Sequence, residues 1–188
     1  IYHYDKSGKL KKQITSGKWE VTNYYGFDEN SGTIYYQSVE NGSINRDVYS
    51  IKIDGKSKAR LSSKIGTNSA TFSPNFQCFI NTYSSATVAP TYTLNQSKTG
   101  TVVKTIVSNE VVEQKLAKYD VAPKEFFELT TEKGHKLNAW MIKPKDFDAT
   151  KKYPVFMFQY SGPGSQEVAN KWNSTNDYWF MMLAQHGY

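Results

Sequence analysis

The sequence predicts blades of a β-propeller followed by the opening of an α/β domain. A pattern of four short apolar strands occurs twice before residue 108, with a period of 43 to 45 residues. A period of this length that contains four strands is typical of a propeller blade. Further along, an apolar run, a glycine-rich loop and a helix-like pattern follow one another over residues 153–187. That order is typical of an α/β unit.

Two phenylalanines mark the two copies of the repeat. Phe27 and Phe72 lie 45 residues apart, and each precedes by seven positions the first large apolar residue of a strand, Ile34 or Phe79. The remaining expected strands are the third pair at 48–51 and 91–94, the fourth pair at 59–61 and 102–107, and the outer strand of a preceding blade at 9–15. A propeller needs about four to eight blades, and neighbouring blades cover each other's faces. The apolar faces of the blades predicted here therefore need cover from more chain or from another molecule. The alternative is a small β-sandwich.

Composition excludes several classes of protein. With 188 residues, 38% of them hydrophobic and 15% aromatic, the chain is expected to fold around a core. The lysines behind the net charge of +6 are spread over turns without a nucleic-acid-binding motif, so no nucleic-acid partner is expected. No apolar run is long enough for a membrane span. The single cysteine, Cys78, is expected to be buried in a strand without a disulfide partner in the chain.

The chain changes character after residue 107. Residues 110–118 predict a short helix, because a capping residue at Ser108 or Asn109 precedes it, acidic residues come early and lysines come late. Pro123 then marks its end. The predicted organisation is therefore propeller blades at 1–107, a connecting helix and linker at 108–125, and an α/β part at 126–188.

The α/β part is expected to begin with a hairpin, whose strands at 126–130 and 136–142 flank a polar turn. Residues 155–158 are four consecutive apolar residues before a Gly-Pro-Gly sequence, which predicts a short parallel strand buried on both faces. A helix over residues 178–187 follows, and Gly187 is expected to close it.

A composite motif runs through this part: Lys-Lys-Tyr-Pro at 151–154, Tyr-Ser-Gly-Pro at 160–163 and Ser-Gln at 165–166. It resembles the opening of the catalytic domain in the dipeptidyl peptidase IV group of the prolyl oligopeptidase family of serine peptidases. The resemblance implies that residues 126–188 are the N-terminal part of an α/β-hydrolase domain. In that family the tyrosine of Tyr-x-Gly-Pro donates a hydrogen bond to the tetrahedral oxyanion, so the resemblance assigns this role to Tyr160. The alternative is that Tyr160 only caps a strand and packs.

The resemblance also implies a longer parent protein that is a serine-type dipeptidyl peptidase. It would act on peptides, releasing N-terminal X-Pro or X-Ala dipeptides through a Ser-His-Asp acyl-enzyme, as a homodimer and without a cofactor. Gly164 stands where some family members have cysteine. This favours a bacterial relative, located in the periplasm or otherwise outside the cytoplasm. A sibling peptidase of the acylaminoacyl or oligopeptidase type and a catalytically silent binding homologue are the alternatives.

The other residues of this chemistry are not found in the chain. Acyl transfer needs a nucleophile, a base and an orienting acid, and no Gly-x-Ser-x-Gly motif occurs. His3, His135 and His186 are interpreted as structural, and their spacing is not that of metal ligands. The adjacent glutamates with which the family binds the peptide N-terminus are missing too. The catalytic contribution expected of this chain is therefore Tyr160 alone.

Overall fold

The computed structural model describes residues 1–119, 121–160 and 162–188. They divide into two units, each described by itself. The first comprises Ile1–Ser84 and Pro90–Ser108, and the second comprises Ser85–Ala89 and Asn109–Tyr188.

The first unit consists of three antiparallel sheets. The two-stranded sheet is β1 (Tyr2–Tyr4) with β2 (Leu10–Gln13). The next sheet has the order β3 (Val21–Asp28), β4 (Thr33–Ser38), β5 (Asp47–Lys52) and β6 (Ala59–Arg60). The third has β7 (Thr67–Phe72), β8 (Cys78–Ser84), β9 (Thr91–Gln96) and β10 (Val102–Val107), again in sequence order. Both four-stranded sheets are consistent with propeller blades, and the predicted repeat of four strands is confirmed.

The sheet β3–β6 is covered on both faces. Successive side chains of a strand point to opposite faces. In β4, Ile34 and Tyr36 therefore lie in one buried cluster with Ile14, whereas Tyr35 lies in a second cluster with Phe79 of β8. Phe79 is 1% exposed, and burying such a side chain contributes about 1.5–3 kcal/mol.

Gly26 allows the two four-stranded sheets to approach closely. It lies at an irregularity in the pairing of β3 with β4 and has φ +147°. The Cζ atom of Phe76 lies 2.5 Å from the position that a Cβ atom at residue 26 would take. Phe76 in turn contacts Phe72, the second phenylalanine of the repeat, at a ring-centroid distance of 5.7 Å. A side chain at residue 26 would displace this aromatic contact.

A buried carboxylate adds a polar link between the same sheets. Asp47 of β5 is 1% exposed, and its Oδ1 atom accepts hydrogen bonds from Nη2 of Arg60 and Oγ of Ser62, both at 2.7 Å. Asn68 of β7 donates from Nδ2 to the same Oδ1 atom at 3.4 Å and to the carbonyl oxygen of Arg46 at 3.1 Å. Since a buried charge is tolerated only when it is paired and hydrogen-bonded, these contacts fix the start of β7 beside β5.

Two buried tyrosines of the first unit predict its behaviour at alkaline pH. Burial raises the pKa of Tyr36, and burial together with nearby Asp47 raises the pKa of Tyr49 to about 12. The folded-state pKa of each phenol lies above the unfolded value of 10.0. The stabilising contribution of the buried phenol is therefore fully present below pH 10.0, and it is lost as the pH rises through the folded-state pKa. We expect the alkaline unfolding transition, monitored by circular dichroism, to occur at the same pH as the rise in absorbance that reports ionisation of the buried phenols.

The variant Tyr49→Phe is expected to move this alkaline transition to higher pH, because one buried phenol no longer has to ionise. Tyr24→Phe is the control, since Tyr24 is exposed in the same sheet. A transition that shifts equally in both variants would contradict the assignment to buried phenols.

The second unit contains α1 (Glu110–Leu116), a hairpin of β11 (Glu125–Thr130) with β12 (Lys136–Met141), and α2 (Ser174–Gln185). The hairpin and both helices confirm the predicted elements, although α2 begins earlier than the predicted residue 178. Asn109 is the N-cap of α1, but it has φ 57° and its side chain makes no capping hydrogen bond. Gly187 has φ 85°, as expected for the residue that closes α2.

Residues 155–158 form no strand, contrary to the prediction. Val155 is 85% exposed and Met157 is 81% exposed. A strand buried on both faces needs neighbours that pair its backbone and cover its side chains. Over the described residues of this unit, β11 and β12 pair only with each other. The assignment of residues 126–188 to an α/β-hydrolase domain therefore stays a prediction.

Two further expectations concern single features. Cys78 lies in β8 as predicted but is only partly buried. Across the described ranges, no helix has the length and apolar character needed to cross a membrane.

Candidate functional site

One aromatic ring of α2 holds the segment that leads to Tyr160. The ring centroid of Phe180 lies 5.1 Å from that of Trp140 in β12, 6.1 Å from Phe156 and 5.6 Å from Phe158. Phe156 and Phe158 lie two positions apart in the chain, and both rings face Phe180. The chain just before Tyr160 is thereby attached to the hairpin and to α2, even though it forms no strand.

An ion pair inside this unit further fixes α2. Nζ of Lys124 lies 2.8 Å from Oδ1 of Asp177, and each side chain is only 5% exposed. Nζ also lies 4.7 Å from the ring centroid of Trp140, within the range of a cation–π contact. Asp177 is in the first turn of α2, where a negative charge is favoured by the helix dipole. The pair connects the residue before β11 to the beginning of the helix.

The segment that leads to Tyr160 begins at a turn around Asp148. Its carboxylate accepts hydrogen bonds from the backbone N–H and the hydroxyl of Thr150, at 3.0 and 2.7 Å, and these bonds hold its pKa below the usual value. The backbone N–H of Asp148 donates to the hydroxyl of Tyr153 at 2.9 Å, and the Tyr153 ring stacks on Phe147. Tyr153 of the composite motif is therefore a structural residue of this turn.

Tyr160 ends the segment with its side chain largely in solvent. It is 63% exposed. Its phenol folds over Gly162: a Cβ atom at residue 162 would lie 2.6 Å from the Tyr160 hydroxyl oxygen and 2.7 Å from two carbons of the ring. Ser161, which the motif places between them, lies outside the described residues.

The chain then turns sharply. The backbone N–H of Ser165 donates to the carbonyl oxygen of Gly162 at 3.1 Å, which closes a four-residue turn. Gly164 has φ +76°, a conformation that glycine adopts without steric cost. The hydroxyl of Ser165 donates to Oε1 of Glu167 at 3.1 Å. The phenol of Tyr160 is therefore presented beside a compact glycine turn.

This arrangement can offer a hydrogen bond to a negative charge. A tyrosine hydroxyl carries one O–H donor, and an exposed phenol leaves that donor accessible to an incoming group. Such a donor can stabilise an oxyanion if the transition state forms nearby. The same geometry also satisfies the alternative in which the ring only packs on the turn.

The remaining predicted site residues lie apart from this turn in the chain. His3 is in β1 of the first unit, whereas His135 ends the exposed hairpin turn before β12 and His186 is the C-cap of α2. Over the described part of the chain, no group of three or more His, Cys, Asp or Glu side chains could hold a metal ion. Sequence reasoning missed the pair Lys124–Asp177, for which the only local signal is an acidic residue early in a helix.

Most of the first unit lies within the part of the chain that matches a protein family. Residues 1–90 match the family model described as the dipeptidyl peptidase IV (DPP IV) N-terminal region. This match covers the two-stranded sheet, the sheet β3–β6 and the first half of the next sheet.

Similarity to named relatives extends over nearly the whole chain. A probable dipeptidyl peptidase 4 from Arthroderma benhamiae is 33% identical over 176 residues, and the dipeptidyl peptidase 4 of Arthroderma otae is 34% identical over 178 residues. Each alignment covers 93% of this chain and 23% of the relative. The crystal structure of Porphyromonas gingivalis dipeptidyl peptidase 4 is 43% identical with a TM-score of 0.93, covering 100% of this chain and 26% of that one.

These findings confirm the resemblance to dipeptidyl peptidase IV predicted from the composite motif. The chain spans about a quarter of the length of the relatives it matches.

Proposed function

We propose that the parent protein is a serine exopeptidase that releases N-terminal X-Pro or X-Ala dipeptides from peptides. In this proposal, residues 1–107 are the C-terminal blades of a β-propeller. Residues 108–125 are a helix and linker that connect the propeller to the next domain, and residues 126–188 are the N-terminal part of the α/β-hydrolase domain. Similarity to a solved dipeptidyl peptidase 4 over the full chain is the observation that carries the proposal. The strand order of the two four-stranded sheets supports the propeller assignment.

In this mechanism the chain supplies an oxyanion donor. A serine hydroxyl attacks the carbonyl carbon of the second residue of the peptide, and a histidine takes its proton. The carbonyl oxygen becomes an oxyanion, to which the Tyr160 phenol donates a hydrogen bond. Collapse of the intermediate expels the remaining peptide as an amine, which takes the proton from histidine, and water then releases the dipeptide. In this proposal the serine, histidine and aspartate lie in the part of the parent protein that this chain does not span.

Two other functions use the same architecture. A sibling peptidase of the acylaminoacyl or oligopeptidase type would recognise a blocked or internal peptide rather than a free N-terminus. A catalytically silent homologue would bind peptides without cleaving them. An active enzyme needs the accessible donor of Tyr160, whereas a silent homologue does not, and the following test distinguishes the two.

The test compares a free and a blocked substrate in the full-length parent. We expect Gly-Pro and Ala-Pro reporter amides to be cleaved, and N-acetyl-Gly-Pro reporter amide to react at least roughly a hundredfold more slowly, since truncating a buried charge pair costs several kcal/mol. Preference for the acetylated substrate would select the acylaminoacyl type. Cleavage of neither substrate, although a Gly-Pro peptide binds, would select the silent homologue.

The 188-residue chain alone is expected to hydrolyse none of these reporters. One oxyanion donor cannot accelerate acyl transfer when no group attacks the carbonyl. The measurement is reporter release by the purified chain, with circular dichroism to verify its β-sheet content and the parent as positive control. Turnover that purifies with the chain and changes with Tyr160→Phe would show that its own residues supply the nucleophile.

A further inference from the structure

We propose that Gly162 is a positioning residue: its missing side chain is what lets the Tyr160 phenol occupy its place over the turn. The proposal rests on the oxyanion role proposed for Tyr160 and adds a second residue to that site. Gly162 itself touches no reacting atom, so it would act only through the phenol.

The space over residue 162 is occupied by the side chain of Tyr160. The Cβ atom of an alanine at residue 162 would lie 2.6 Å from the hydroxyl oxygen of Tyr160 and 2.7 Å from the Cε1 and Cζ atoms of the ring. Carbon and oxygen atoms do not approach so closely without a bond, so one group must move.

Tyr160 is the group that moves. The three nearest atoms all belong to its side chain, whose far end is free to swing because the residue is 63% exposed. The phenol must withdraw by roughly an ångström, a misplacement that can cost about a hundredfold in rate. The fold should survive while the donor is lost from its position.

Gly164 gives a matched contrast within the same turn. A Cβ atom at residue 164 would meet nothing within 4 Å, but φ +76° makes this position costly for any other residue. One glycine is thus required by the space that Tyr160 occupies, and the other by its backbone conformation. The variant Gly164→Ala disturbs the turn without adding an atom beside the phenol.

The experiment is a double-mutant cycle in the full-length parent, with kcat and KM measured on a Gly-Pro reporter amide. We expect Gly162→Ala to lower kcat about 10- to 100-fold with KM little changed. In the background of Tyr160→Phe, where there is no donor to misplace, the same substitution should lower kcat by less than about twofold. Gly164→Ala should lower the melting temperature but leave kcat within about threefold of the parent.

The outcomes distinguish failure of the positioning role of Gly162 from failure of the oxyanion role of Tyr160. If Gly162→Ala lowers kcat by the same factor in both backgrounds, or if Gly164→Ala matches it, Gly162 does not act through the phenol and the positioning role is overturned. A normal kcat for Gly162→Ala alongside a slow Tyr160→Phe also overturns it, while the oxyanion role stands. A normal kcat for Tyr160→Phe overturns the oxyanion role itself. Gly162→Ser adds the same Cβ atom and replaces Gly162→Ala if the latter fails to fold.

Discussion

Replacing Asp177 by alanine is expected to lower the free energy of unfolding by about 3–5 kcal/mol, because it leaves a buried ammonium group without its counter-charge. Lys124 is only 5% exposed, so the unpaired charge cannot return to water without opening the structure. Oδ2 of Asp177 has no hydrogen-bond partner among the described residues. The Oδ1–Nζ contact is therefore the hydrogen-bonded ion pair through which the two charges neutralise each other.

The measurement is chemical denaturation followed by circular dichroism and tryptophan fluorescence, to which Trp140 beside Lys124 contributes. Glu128→Ala is the matched control. Its partner Lys136 lies 3.6 Å away with both side chains mostly exposed, so the loss should stay below about 1 kcal/mol. The double variant Lys124→Met with Asp177→Leu should recover most of the stability, since an apolar pair avoids the desolvation of two charges. If the double variant is as unstable as Asp177→Ala alone, packing rather than charge is responsible.

The sheets of the first unit could be predicted because their information is local and repeated. Successive side chains of β4 point to opposite faces, so Ile34 lies in one cluster and Tyr35 in another, and the short apolar runs that form such strands are visible in the sequence. Phe27 and Phe72 then set the period, and each packs against a buried cluster. The hairpin was predictable for the same reason, since its turn residues separate two apolar strands.

The apolar run 155–158 shows where such reasoning ends. Four consecutive apolar residues indicate what a finished sheet would bury, but they do not say which segments would cover them. The described residues supply one partner ring, Phe180, and leave Val155 and Met157 in solvent. Burial is a property of the assembled neighbours, and the neighbours are not encoded in the run itself.

Polar contacts over long distances in the chain were out of reach for a related reason. Lys124 and Asp177 are separated by 53 residues, and a single lysine or aspartate is by default expected at the surface. The motif around Tyr160 indicated a glycine turn but could not tell why each glycine is there. The structure distinguishes Gly162 from Gly164, because a neighbouring side chain occupies the place of a Cβ atom at Gly162, whereas nothing lies within 4 Å of that place at Gly164.

In the intact parent, Tyr160→Phe is expected to lower kcat on a Gly-Pro reporter by about a hundredfold to a thousandfold, or about 3–4 kcal/mol of transition-state stabilisation. The phenol can reach an oxyanion that a backbone N–H at the same place cannot, and phenylalanine keeps the ring that packs over Gly162. The fold should therefore survive, and a melting curve checks this.

The pattern of the loss is as informative as its size. A hydrogen bond that strengthens only as the oxyanion forms should lower kcat and kcat/KM alike and leave KM nearly unchanged where chemistry limits turnover. Tyr119→Phe is the control, since Tyr119 is an equally exposed tyrosine at 66% and lies just beyond α1. If Tyr160→Phe keeps kcat within a factor of about three in a well-folded parent, far short of the loss of one donor, the ring of Tyr160 only packs on the turn. A rise in KM at constant kcat would instead assign the hydroxyl to binding of the substrate in its ground state.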